Sequence, residues 1–206
     1  MRGPYLIEPN DAYLNAAVKV VFVGQESGDW KTSECEIEKQ LACYRDFNLN
    51  GRADGPVHPG AFWNVIRKLE AELIGTSHAC AALNLNRFSQ HGRSPSGQNQ
   101  RILSELDFLL LEELKLLQPD IVIFFTGPRY DPRLNALLQV SHSAVEGFTT
   151  RQLSKIHSAE LSAKIYRTYH PTYLRRRRLE SKVIAAIKAG VKGPHTFNGH
   201  GTGNPS

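Results

Sequence analysis

The chain alternates short, nearly unbroken apolar runs with longer stretches in which apolar residues recur at helical spacing. Val18-Lys19-Val20-Val21-Phe22-Val23 is the first run, and it stops at Gly24. Ala79 to Leu85 is the second, with Asn84, Asn86 and Arg87 at its end. Asp120-Ile121-Val122-Ile123-Phe124-Phe125-Thr126-Gly127 is the third, and Tyr166-Arg167-Thr168-Tyr169, halted by His170-Pro171, is the fourth. Runs this short, apolar on successive residues and rich in β-branched side chains, predict strands covered on both faces and hence a parallel sheet.

Helical spacing fills the intervals. Ile37, Leu41 and Tyr44 predict a short helix over 34–47, and Asn48 to Gly60 predicts a loop. Pro59 opens a helix with Phe62, Val65, Ile66, Leu69 and Leu73 on one face, and Gly75 closes it. A polar loop from Ser89 to Gln100 precedes a long leucine-rich helix from Asn99 to Leu117, which ends before Pro119. A weak helix is expected near Arg133 to Leu138, and a last one over Arg176 to Ala189. Gly193 onward has the composition of a disordered tail. No internal repeat is present. The expected fold is α/β: a three-layer α/β/α sandwich around a central, mainly parallel four-stranded sheet, as one domain over 1–192 with a tail at 193–206.

Composition adds limits. With 41% hydrophobic and 22% charged residues, the chain has enough apolar mass for a core and is not a disordered polyelectrolyte. Cys35, Cys43 and Cys80 show neither the close pairing of a zinc site nor an even disulfide framework, so free thiols and no metal or other cofactor are expected. No apolar run reaches the length of a membrane span and no signal-peptide pattern opens the chain, which predicts a cytoplasmic protein without a membrane partner, expected to be a monomer.

The net charge of +5 hides a split. From Arg151 on there are eleven basic and two acidic residues, against fourteen basic and eighteen acidic before it, so the two parts carry +9 and −4. Such an asymmetry suggests a face made for a polyanion, although a basic run is also an ordinary solvated helix.

Right-handed crossovers bring the carboxyl ends of parallel strands to one sheet edge, where ligands bind. Glu26, Asn84, Thr126 and His170 therefore converge on one crevice. Pro171 biases His170 away from the helical region and holds it at a strand end. Each residue also has a plain structural use: Glu26 as a helix cap, Asn84 as a turn residue, His170 as a hydrogen-bonded structural histidine.

The motifs at these ends resemble those of the uracil-DNA glycosylase superfamily. Val20-Val21-Phe22-Val23-Gly24-Gln25-Glu26 is similar to its first motif, an apolar strand followed by Gly-Gln-Asp-Pro. His170-Pro171-Thr172-Tyr173-Leu174 is similar to its His-Pro-Ser-Pro-Leu motif. Ala82-Leu83-Asn84, followed by Arg87, lies where the family has a strand ending in a base-reading Asn, and the helix Pro59 to Leu69 follows the same layout. The likeness runs from about residue 18 to 190.

It implies a metal-independent DNA glycosylase that flips a nucleotide out and hydrolyses the bond from sugar to uracil or another deaminated base. By resemblance, Glu26 activates water and His170 donates to the base oxygen where negative charge gathers. Gln25 offers backbone contacts to the base, Asn84 reads its Watson–Crick edge, and Phe47, with Trp30 and Tyr44 as alternatives, stacks on it. Thr172 and Arg175, Arg176, Arg177 and Arg178 hold phosphates, and Leu174 wedges into the stack. Single- or double-stranded DNA is the implied partner. Glu26 is one methylene longer than the family's Asp, and Ser27-Gly28-Asp29-Trp30 replaces the usual Pro-Tyr-His. A non-catalytic member that binds nucleic acid or a nucleotide is the alternative, with an unrelated nucleotide hydrolase as a third reading.

Overall fold

The computed structural model describes residues 3–26, 36–45, 60–91 and 93–192. The expected 48–60 loop (all but Gly60), the expected tail, Phe47 and Trp30 lie outside these residues. Four parallel strands form as expected: β1 (Val20–Glu26), β2 (Cys80–Asn86), β3 (Ile121–Phe124) and, late in the chain, Lys164–Thr168. Two more strands, β4 (Val140–Ala144) and β5 (Leu153–Ser158), precede the last one, which is therefore β6. The sheet is thus six-stranded and mixed, in the order β2-β1-β3-β6-β5-β4, and not four-stranded.

The correction has a physical cause. β4 and β5 pair antiparallel to each other and β5 antiparallel to β6. They extend one edge, where β4 has no fully buried residue and β5 buries Leu153, Ser154 and Ile156. Val-Ser-His-Ser-Ala and Leu-Ser-Lys-Ile-His-Ser consequently lack the continuous apolar signature of a strand covered on both faces.

Successive residues of the parallel strands point to opposite faces, and both faces are covered. Val20, Phe22, Ala82, Ile121, Ile123 and Tyr166 pack with Val65, Ile66 and Leu69 of α3 (Ala61–Leu73) and Val183 and Ile187 of α8 (Glu180–Lys192). Val21, Val23, Ala81, Leu83, Val122, Phe124 and Ile165 pack with Leu110, Leu114 and Leu117 of α5 (Phe108–Leu117) and Leu134 and Leu138 of α6 (Asp131–Leu138). Each buried Val, Leu, Ile or Phe side chain among them contributes about 1.5–3 kcal/mol by leaving water.

Among the described residues, two short helices precede α3. α1 (Asp11–Leu14) is capped by Asn10, and α2 (Ile37–Tyr44) occupies the expected 34–47 stretch. Tyr5 and Tyr44 guard the outer edge of β2: the Tyr5 hydroxyl donates to the Ala82 carbonyl at 3.5 Å, and the Ala82 amide donates to the Tyr44 hydroxyl at 3.2 Å. They satisfy groups that an edge strand would leave unpaired.

One expected helix is broken. The leucine-rich one becomes α4 (Gly97–Ser104) and α5, separated by tight turns at 105–107, where the Asp107 carboxylate receives the Arg133 guanidinium. The last expected helix, 176–189, starts later, as α8, and a short helix the sequence did not predict, α7 (Pro171–Arg176), precedes it. Arg178 turns left-handed at φ 56° between the two.

Candidate active site

Register brings the strand ends level. Gly24 pairs with Asn84, Val23 with Phe124, and Phe124 with Arg167 two residues before Tyr169. Beyond these ends lies a pocket of about 240 Å³ lined by Gln25, Glu26, Phe62, Asn84 and His170, with Tyr5 and Trp63 on its walls. It is smaller than the ~300–1,000 Å³ clefts that take drug-sized molecules, and suits one small ring system. The structure thus brings together four of the expected residues, from β1, β2 and the β6–α7 junction.

Gly24 forms the pocket floor because nothing larger fits. A Cβ there would lie 2.4 Å from the Asn84 side chain and 3.2 Å from the Phe62 ring. With its amide turned to suit its neighbours, the Asn84 nitrogen donates to the carbonyls of Leu83 at 3.2 Å and Glu26 at 3.3 Å. Asn84 is therefore a strut between the ends of β1 and β2 as well as part of the pocket wall. Gln25 ties β1 to β3, its amide nitrogen donating to the Thr126 carbonyl at 2.8 Å.

Glu26 is half-buried at the pocket's edge. Its carboxylate accepts a hydrogen bond from the Ser94 hydroxyl, which accepts one from the buried Tyr130 hydroxyl at 3.2 Å. This relay orients the carboxylate with neutral hydroxyl donors. Ser94 lies in a polar loop with no periodic signal, and nothing in the sequence marks it.

His170 caps α7: its Nδ1 accepts the Thr172 amide at 3.2 Å. The neutral ring therefore carries its proton on Nε2, as a donor. Burial pushes the imidazole below its ordinary value of 6.5, so it is uncharged at neutral pH. The ring stacks on Phe62 at 5.9 Å and 16° between planes. Phe62 in turn meets Phe125 edge-on at 5.8 Å. The apolar periodicity of α3 assigned Phe62 to the core, but it is the aromatic wall of the pocket.

The remaining expected residues divide. Thr172 is exposed, one residue beyond Pro171. Leu174 is fully buried in the core beneath α7, so the expectation that it wedges into DNA is corrected. Helix formation from Pro171 turns that position inward, toward the packing of α3 and α8. Tyr44, 1% exposed and bonded to β2, is likewise unavailable as a stacking ring.

Arg175 is held by Glu180, its Nε donating at 2.8 Å. Burial pushes the Glu180 carboxyl up, but Lys68 and Arg175 together hold it below its ordinary value. Arg176, Arg177 and Arg178 are exposed.

In comparisons with known proteins, no family model matches the chain and no curated protein matches it.

Proposed function

We propose that the protein hydrolyses the N-glycosidic bond of uracil or another deaminated base in DNA, taking the flipped nucleotide into the pocket beyond β1 and β2. The observation that carries this reading is the meeting, in one small pocket, of a carboxylate oriented by neutral donors and an imidazole kept neutral with its proton on Nε2. Cleavage of a glycosyl bond passes through a cationic, oxocarbenium-like sugar. Here it would release a base anion. Glu26 positions the attacking water and offsets the sugar's charge, while Nε2–H of His170 donates to the base oxygen on which negative charge gathers. A neutral donor suits this task because it is present at pH 7 without first binding a proton.

Gly24 lets the base approach the backbone, Asn84 lies against its polar edge, and Phe62 backs the histidine ring. Thr172 and Arg176 to Arg178 hold the flanking phosphates. The likeness of Gly24-Gln25-Glu26 and His170-Pro171-Thr172 to the uracil-DNA glycosylase motifs supports the same assignment. A binding-only reading is favoured by one feature: the Glu26 side chain is a methylene longer than an aspartate and is already engaged by Ser94.

A panel of oligonucleotides carrying deaminated, oxidised or alkylated bases, single- and double-stranded, separates the two. Free base and abasic sites are expected from the uracil strands. Binding that weakens with salt while no base is released from any member would leave only the binding reading.

A further inference from the structure

Beside His170 lies a group of side chains whose aromatic faces and guanidinium plane the excision reading leaves unassigned. Tyr169, Tyr173 and Arg177, four residues apart, come together as a ladder. The two tyrosine rings are 4.2 Å apart between centroids and tilted by 34°, and the Arg177 guanidinium lies over the Tyr173 ring at 5.5 Å. Tyr169 is seated on Gly127 at the end of β3, where a Cβ would be 3.5 Å from its ring. The Tyr173 amide donates to the His170 carbonyl at 2.8 Å, so the ladder stands one helical turn from the pocket histidine. Both tyrosines are partly exposed and Arg177 is exposed, with Arg176 and Arg178 on either side in sequence.

Anchored aromatic rings and a guanidinium plane among free cations form a platform for unpaired bases, whose faces stack on such groups irrespective of sequence. In a duplex those faces are already occupied. The same helix supplies no apolar wedge to part a duplex, because Leu174 is buried in the core.

We propose that an unpaired base adjacent to the one in the pocket stacks on the Tyr173–Arg177 end of this ladder, making single-stranded DNA the preferred partner of the site. The proposal rests on the excision reading only for the position of the neighbouring base, and its test is independent of cleavage.

The full-length chain is titrated into a fluorescein-labelled oligothymidine, alone or annealed to its complement, at one salt concentration, and anisotropy is followed. The single strand should bind about tenfold or more tightly than the duplex. Tyr173→Ala should remove about tenfold of the single-strand affinity and leave the duplex unaffected, while Tyr173→Phe keeps the wild-type value. Arg177 is exposed, so Arg177→Ala spares the fold. It should also lower single-strand affinity, and Arg177→Lys, with charge but no plane, should not restore it.

Equal wild-type affinity for both forms would overturn the proposal, as would an equal loss on both in Tyr173→Ala or full restoration by Arg177→Lys. Because this strand holds no deaminated base, failure of base release in the panel leaves the result untouched, and the reverse holds.

Discussion

At the scale of single residues, the proposed site turns on two side chains whose states are set by neighbours. Glu26 is oriented by Ser94 and Tyr130, and His170 is kept neutral by burial and given its tautomer by the Thr172 amide. The histidine has a consequence for stability. Folded, His170 takes up a proton only below its ordinary value of 6.5, whereas the unfolded chain takes one up near 6.5. Between those two values the unfolded chain binds more protons, so stability falls as pH drops through the window and is level above it. Urea unfolding between about pH 5 and pH 7.5 should show this decline, and His170→Gln should flatten it. His142, also shifted down by burial, keeps a residual slope. Identical slopes in the two proteins would contradict a buried neutral His170. At this scale the sequence was only half informative. Strand ends marked Gln25, Glu26, Asn84 and His170, but Ser94 is joined to Glu26 across 68 positions by folding alone.

At the scale of elements, strands covered on both faces were plain in the sequence, because continuous apolar runs have few other uses. β4 and β5 were not, since an edge hairpin needs apolar residues on one side only. The break between α7 and α8 was also hidden: Arg178 adopts a left-handed conformation that its residue type does not announce. That break decides what Leu174 does. A wedge would be exposed, and truncating it would weaken DNA binding with little effect on the fold. As a core residue beneath α7, Leu174→Ala should instead cost about 2–5 kcal/mol of stability. Chemical denaturation measures the loss, and a variant as stable as the wild type would return Leu174 to the surface.

At the scale of the whole molecule, the basic character of the last third is partly spent inside the protein. Arg167 is buried, with Nη2 donating to Asp131 at 2.9 Å and to the Thr150 carbonyl at 2.8 Å. Arg175 and Lys188 are paired with Glu180 and Glu72. The concentrated free charge is therefore Arg176 to Arg178, beside the pocket, and a count of eleven basic residues overstates the polyanion face. Three neutralised phosphates on a single strand give a slope of log K against log salt of about −2. Replacing Arg176, Arg177 and Arg178 together by alanine should reduce the steepness by about that amount. An unchanged slope would place the phosphates elsewhere on the surface.

The proposed excision requires Glu26 and His170 to act together on one glycosidic bond. Its most direct measurement is release of free uracil from a uracil-containing single strand by the wild type, Glu26→Gln and His170→Ala, each checked for folding by its unfolding curve. Release by the wild type is expected, with a loss of at least about a hundredfold in either variant, the scale of a missing acid–base or oxyanion-stabilising group. Wild-type release no faster than that of Glu26→Gln would contradict it.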